Sequence, residues 1–482
     1  MAHHIIIGGG PAGVAAAETI RATAGPEAQI TLISNEPAYS RMVLPYYLAN
    51  DIPERHVLTG DAAYFEKHGI ASVSGQVEHL DAQARTVTLG DGSSHAFDTL
   101  LIATGSSAQR PPISGIDQEG VYTFWTLEDA KQVMSKAQGT PRAVLVGAGF
   151  IGFIVLNAMA KLGWNLSVVE TEPQVLPRML DATGAEAVEG WLADRDVAVH
   201  TGAQVRSISR AGEALSLSLS SGASLSADIV ILATGIQPNL GFLNGSGIHI
   251  DGGIVVDDRM QTNIPGIYAA GDVAAGPELL NGSAAVHAIQ PTAVDHGRIA
   301  GANMAGKETH YPGSLLLNVL DVINLHCASF GQWRTDATDA TDGNDSITTI
   351  WNPTRPIYRK YVWHGDRMIG ALFVGPIDDV TMLNDVGMVK GLIQTKLALG
   401  NWADYVKENP TDVRRAYVAT GAAQKLVGQT LLGAPATARA YRVDGKTPQA
   451  WQKDSHAPLI GSRPGTLDTL PRTPTPGIGK GE

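Results

Sequence analysis

Two stretches decide how this chain is read: residues 4–13, HIIIGGGPAG, and residues 143–152, AVLVGAGFIG. Each runs from an apolar, strand-favouring tetrapeptide into glycines spaced Gly-x-Gly-x-x-Gly, namely Gly8, Gly10 and Gly13, then Gly147, Gly149 and Gly152. Helix-favouring runs follow at residues 14–24 and 153–162, and second strands are predicted at 29–33 and 166–170. That order has a physical use. The first glycine permits a tight turn, the second lets the backbone approach a pyrophosphate, the third lets helix pack on strand, and the phosphates sit on the helix N-terminus.

Outward from these loops, the copies continue in parallel. Antiparallel meanders are predicted over residues 72–102, around the turn Asp91-Gly92, and over 205–225. They close on the strands 99–103 and 228–233, which run into Ala103-Thr104-Gly105 and Ala233-Thr234-Gly235. The period of about 130 to 140 residues is too long for a solenoid and fits two copies of one nucleotide-binding domain. Glu170 lies 18 residues after Gly152, at the end of a predicted second strand. A carboxylate there accepts hydrogen bonds from a free ribose 2′-hydroxyl and repels a 2′-phosphate, which favours NADH over NADPH. Glu36, 23 residues after Gly13, is the corresponding acid of the first copy, although Ser34 ends its strand more directly.

The expected fold class is α/β: two Rossmann-like dinucleotide-binding domains, one inserted in the other, plus an α+β C-terminal domain and an extended tail. The boundaries are 1–112 with 241–310 for the first domain, 113–240 for the inserted one, 311–400 for the third, and 401–482 for a helical segment and Pro-rich tail. The return to the first domain is marked by TNIPGIYAAGDVA at 262–274 and a predicted helix from about residue 291 to 304. In the third domain, strands are predicted at 346–351, 357–363 and 368–373, followed by a helix.

Composition narrows the function. The 482 residues are 44% hydrophobic and 17% charged, with 54 glycines, a globular balance. The 35 basic and 47 acidic side chains give a net charge of −12, which repels nucleic-acid phosphates and anionic lipid. A single cysteine, Cys327, rules out an internal disulfide, a CxxC pair or an all-cysteine iron–sulfur site. No apolar run approaches the roughly 18 residues of a membrane span, and MAHHIII passes straight into the first glycine loop, so neither a span nor a signal peptide is expected and the chain is read as cytoplasmic.

Two glycine loops, two Ala-Thr-Gly segments and the late Gly271-Asp272, in that order, resemble the pyridine nucleotide–disulfide oxidoreductase family over about residues 4–400. The resemblance implies FAD on the first loop and NAD(H) on the second. It implies that Asp272 meets the ribityl chain, that Val77 touches the adenine through its backbone, and that Pro291 and Thr292 open a helix aimed at the flavin, whose dipole favours the reduced ring's negative charge. The implied FAD residues are Gly8, Gly10, Gly13, Glu36, Arg41, Val77, Thr104, Gly105, Gly271, Asp272, Pro291 and Thr292; those for NAD(H) are Gly147, Gly149, Gly152, Glu170 and Gly235. An ordinary loop arginine is the competing reading of Arg41.

The departures from the family carry as much information. YSRMVLPYYLA at 39–49 places Met42 where disulfide- and peroxide-reducing members carry their cysteine, and a thioether forms neither thiolate nor sulfenic acid. That segment is similar to the nitrite-reductase-like and ferredoxin- or rubredoxin-reductase branch, in which the flavin serves a separate metal centre. Ile154 stands in the region where many relatives place a glutamate near the nicotinamide. Segments in the third domain resemble NADH-linked flavoprotein subunits of 2-oxoacid oxidoreductase complexes of the phenylglyoxylate type.

The reading is therefore an FAD flavoprotein that exchanges a hydride with NAD(H) and single electrons with an iron–sulfur protein or subunit, within a larger complex. No catalytic side chain and no metal site of its own is expected, because flavin carries the chemistry. The alternatives are a stand-alone NADH oxidase using oxygen and a non-catalytic, flavin-stabilised assembly subunit. His287 and His296 are read as structural, and Cys327 as a small buried residue. Asp336, Asp339, Asp342 and Asp345 recur every third residue, unlike the alternate acids of a calcium loop, and are read as a solvated hairpin. Residues 445–482, with six prolines, are expected to be ordered by a partner chain.

Overall fold

The computed structural model describes residues 2–334 and 345–426. Its first sheet has five parallel strands in the order Ile267–Ala269, Thr99–Ile102, His3–Ile7, Gln29–Ser34, Ile70–Ser74. Ile5, Ile6 and Ile7 are covered on both faces, as a central parallel strand requires. The helix Pro11–Ala24 that follows the first glycine loop packs on the later helix Gln290–Met304. The two backbones nearly touch, since a Cβ on Gly297 would collide with the Ala12 carbonyl and one on Gly301 would press on Ala16. Small residues one turn apart on both helices make that approach possible.

The inserted copy repeats the design: Val121–Thr123, Ile229–Leu232, Arg142–Val146, Asn165–Val169 and Ala198–His200 form a second five-stranded parallel sheet. Three-stranded meanders accompany both, Val77–Asp81 with Thr86–Leu89 and Ser94–Ala96, and Val205–Ala211 with Ala214–Leu219 and Ser224–Ala227. One expectation needs correction: the first meander starts at Val77 rather than at residue 72, because Ile70–Ser74 pairs in parallel with Gln29–Ser34 as the sheet's edge. An alternating pattern cannot distinguish a parallel edge from an antiparallel ribbon.

The third unit is a five-stranded antiparallel sheet in the order Leu317–Val322, Leu325–Gly331, Arg367–Pro376, Ile357–His364, Asp345–Asn352. One face, with Leu320, Val322, Cys327, Tyr358, Leu372 and Val374, shares a core with the inserted copy. The other, with Phe330, Tyr361, Trp363 and Phe373, packs on residues of the helices Val380–Gln394, Asn401–Glu408, Val413–Ala419 and Ala422–Leu426. The helices after residue 400 thus belong to the same core as the sheet. Asp336, Asp339, Asp342 and residues 445–482 lie outside the described residues. Among those described, no helix is long and apolar enough to cross a membrane, and no cluster of three or more His, Cys, Asp or Glu residues could hold a metal ion.

Candidate functional site

Four of the six loop glycines are demanded by the fold itself. Gly8 and Gly147 have φ of +112° and +102°, and a Cβ on either would collide with the carbonyl of Ala103 or Ala233, the residues opening the two Ala-Thr-Gly segments. A Cβ on Gly13 or Gly152 would strike the carbonyl of Gly8 or Gly147. Gly10 and Gly149 are different. Their φ values of −73° and −83° suit any residue, and a Cβ there would meet no protein atom within 4 Å. They are the N-caps of the helices Pro11–Ala24 and Phe150–Lys161, with no side chain capping the first N–H groups. Unpaired amides, a helix dipole and reserved space fit a pyrophosphate at both loops.

The two copies also fix which acids correspond. Gly8 N–H donates to the Ile33 carbonyl and Gly147 N–H to that of Val169, both at 2.8 Å. Ser34 is therefore the counterpart of Glu170, and Glu36 that of Glu172. Glu170 is buried beneath its loop: one carboxylate oxygen accepts from Ala148 N–H at 2.6 Å, the other from Glu172 N–H at 2.9 Å and the Thr171 hydroxyl at 3.1 Å. It holds the loop. Glu36 is instead tied to its own copy, accepting at one oxygen from Arg41 and from the Tyr39 hydroxyl, each at 2.8 Å.

Those contacts open a polar network that gathers residues distant in sequence. Arg41 also donates to the Ser106 carbonyl at 3.0 Å and lies over the rings of Tyr39 and Trp125. Trp125 donates its indole N–H to the same carbonyl at 2.6 Å, and the Ser106 hydroxyl donates to Asp272 at 2.7 Å. Burial pushes the Asp272 carboxyl above the usual carboxylate range, against the Ser106 hydrogen bond and the Arg41 charge. Gly271, at φ +78°, is wedged against Ala12 and Ala293 in the first turns of two helices, so Asp272 stands where both N-termini converge. Tyr39 stands in the segment 39–49 already singled out, whereas Ser106 and Trp125 were not singled out from the sequence, and no local motif marks them.

The remaining expected residues frame this centre. The Thr104 hydroxyl donates to the Asn239 carbonyl at 3.0 Å, and Gly105 and Gly235, at φ +62° and +117°, flank the short antiparallel ribbon of Ser106–Ala108 with Ile236–Pro238 that joins the two sheets. Pro291 and the buried Thr292 lie in the first turn of Gln290–Met304, where Thr292 bonds to Tyr311. Gln290 accepts from the Ser40 hydroxyl at 2.6 Å, tying this helix to the Met42 segment. Val77 is buried at the head of its strand, two residues past Gly75, whose N–H donates to the Ser34 carbonyl at 3.1 Å. His287 bonds the Ser314 hydroxyl through Nδ1, and Ile154 packs half-buried in the core of the inserted copy.

Met42 is 57% exposed beside this network, while Cys327 is wholly buried and its thiol is pushed up by burial and then by the Asp321 charge. The expected result is that the chain reduces neither disulfides nor peroxide with NADH, and that Cys327→Ser reduces dyes at the parent rate. Loss of dye reduction in a folded Cys327→Ser protein would contradict it.

Two glycine loops of this geometry, each opening a helix against a five-stranded parallel sheet, fit the fold of a flavin- and nicotinamide-dependent oxidoreductase. Residues 2–297 match the pyridine nucleotide-disulphide oxidoreductase family, and the chain belongs to it. Its cofactors are accordingly FAD and NAD(H). It is 30% identical over 417 residues to the epsilon subunit of NADH-dependent phenylglyoxylate dehydrogenase of Aromatoleum evansii, covering 86% of this chain and 96% of that one. It is 29% identical over 375 residues to the nitrite reductase of Bacillus subtilis, covering 77% of this chain but only 45% of the larger enzyme. Among solved structures, the NAD-dependent persulfide reductase of A. fulgidus superposes with a TM-score of 0.74 at 29% identity, covering 83% of this chain and 78% of that one.

Proposed function

We propose that this chain is the NAD(H)-reactive FAD subunit of a larger oxidoreductase complex in the cytoplasm, exchanging a hydride with NAD(H) and single electrons with an iron–sulfur protein or subunit. The observation that carries the reading is the pair of glycine-loop helix N-termini at Gly10 and Gly149, each uncapped by a side chain and open around a Cβ, together with Met42 where the family resemblance implies a redox cysteine and a sole cysteine that is wholly buried. Bound FAD supplies a ring that takes up a hydride and releases electrons singly, which is what links a nicotinamide to an iron–sulfur centre. The likeness to a subunit of a dehydrogenase complex, over nearly all of that subunit's length, supports the assembly.

In this reading residues 1–112 and 241–310 hold FAD, 113–240 hold NAD(H), and 311–400 form the third domain, to whose core the helices over residues 401–426 add. Gly8, Gly10 and Gly13 cradle the FAD pyrophosphate. Arg41, anchored by Glu36 and Ser106, adds positive charge beside it, and Asp272 accepts from the ribityl hydroxyls. Val77 faces the adenine, Thr104, Gly105 and Gly271 shape the pocket, and the N–H groups behind Pro291 and Thr292 face the flavin ring. Gly147, Gly149, Gly152 and Gly235 cradle the nicotinamide dinucleotide, with Glu170 at its ribose.

A specificity test follows. NADH should reduce the flavin much faster than NADPH, and Glu170→Gln should narrow the preference by about tenfold, the scale of one lost charge contact of about 1.4 kcal/mol. An unchanged preference in a folded variant would remove Glu170 from that role. The assembly is tested by native purification with an iron count and identification of the chains that come with it. A co-purifying iron–sulfur chain is expected; a lone flavoprotein that consumes oxygen with NADH at full speed would favour an NADH oxidase.

A further inference from the structure

The hairpin joining Leu317–Val322 to Leu325–Gly331 turns in two residues, Ile323 and Asn324, since Val322 pairs with Leu325. Both have positive φ, 50° and 67°, and a β-branched residue is a poor occupant of that region. Such a conformation persists where the surroundings over-determine it. Here both backbone groups of Ile323 are held by the inserted copy: its N–H donates to Asn157 Oδ1 at 3.0 Å, and its carbonyl accepts from Trp191 Nε1 at 3.0 Å. Asn157 lies on the helix that starts at the second glycine loop, and Trp191 on the helix Ala182–Ala193.

A second contact reaches the same helix at its other end. Asp181, which caps it through Gly184 N–H at 3.1 Å, receives the Tyr358 hydroxyl at 2.8 Å and Lys360 Nζ at 3.2 Å from the third unit's sheet. The Lys360 side chain is only 4% exposed and that of Asp181 22%. Removing one partner of a largely buried ion pair leaves the other charge uncompensated, so Lys360 and Asp181 constrain how the two surfaces meet. Between Glu170 and Asp181 runs the segment that covers the second glycine loop, with Leu176 N–H donating to the Ala148 carbonyl at 2.9 Å and Ala148 N–H to Glu170.

We propose that the third unit acts as a positioning clamp for the NAD(H) cradle. Lys360 and Tyr358 act through Asp181, and the hairpin tip acts through Asn157 and Trp191, to hold the helix behind the second glycine loop and the segment 171–181 in the geometry that binds NADH. The inference rests on the reading of that loop as the NAD(H) site and assigns Lys360 and Tyr358 as positioning residues that touch no cofactor.

The test is equilibrium NADH binding by calorimetry on the FAD-loaded full chain, with dye-reduction kcat and KM, flavin content and melting temperature measured alongside. Lys360→Met should weaken NADH binding and raise KM by about five- to tenfold, a typical coupling between sites, while kcat and flavin content stay at parent values. Lys360→Arg should restore affinity to within about twofold, and Tyr358→Phe should give a smaller loss in the same direction. Lowered melting temperature with unchanged NADH affinity in Lys360→Met and Tyr358→Phe would overturn the clamp. Should Lys360→Met fail to fold, Tyr358→Phe decides alone. Failure of the parent chain to bind NADH would instead overturn the reading of the second loop, and is seen before any variant is made.

Discussion

Gly149→Val is expected to fold, to keep its FAD and to lose at least about 100-fold in flavin reduction by NADH, the scale set by displacing a reactant by an ångström. Gly10→Val is expected to fold and to be colourless. Both follow from one geometric fact: the two positions have ordinary backbone angles and open space around a Cβ, so valine strains neither loop. The side chain would occupy the room over the helix N-terminus where a pyrophosphate must come close to the backbone. Gly8→Val and Gly147→Val form the control, since there the collision is with the protein's own carbonyls and loss of folded protein is expected. Flavin content after purification and the rate of anaerobic bleaching by NADH measure both effects. A Gly149→Val chain that NADH reduces at the parent rate would show that the second loop is only a structural turn.

Acid should destabilise the chain through His296. The imidazole is 1% exposed, meets Tyr311 edge-on with ring centroids 5.0 Å apart, and has no hydrogen-bond partner for either nitrogen among the described residues. Burial, and after it the His287 charge, lowers its pKa from 6.5 to about 4. The folded state thus holds the proton more weakly than the unfolded state. The stability this confers is fully present above the unfolded pKa of 6.5 and is lost as pH falls towards about 4. The loss amounts to about 3 kcal/mol, a sizeable share of a domain's stability. Denaturant unfolding between those pH values should show it, and His296→Leu should flatten the slope, leaving the part carried by His4 and His287, which burial also lowers. The same acid slope in both proteins would mean that other groups carry it.

What the sequence made legible was set by local repetition. The glycine loops, the flanking strands and the paired Ala-Thr-Gly segments each combine a steric requirement with a nearby pattern, and the structure places them at corresponding points of two sheets; Gly271-Asp272 occurs once, against the first turns of the helices Pro11–Ala24 and Gln290–Met304. Ser106 and Trp125 escaped because each owes its place to partners distant in the sequence: the Ser106 carbonyl collects Arg41 and Trp125 only once the ribbon between the sheets is formed. The strands Leu317–Val322 and Leu325–Gly331 escaped for another reason. Their turn, Ile323-Asn324, lacks the Asn-Gly or Asp-Gly signal of a two-residue hairpin and is held by the neighbouring copy instead. Arg359 and Lys360 are adjacent charges in mid-strand, yet both are buried: Arg359 against Asp385 and Asp379 on one face, Lys360 against Asp181 on the other. Strand alternation reports which face a residue takes, and not what charge waits there.

The most direct measurement is an anaerobic titration of the purified chain with NADH, followed by mixing with an oxidised ferredoxin. The account predicts a yellow protein whose flavin bleaches stoichiometrically with NADH and recovers its colour as the ferredoxin is reduced, with iodoacetamide treatment beforehand making no difference. A protein that purifies without flavin, or whose flavin NADH leaves unbleached, would contradict it.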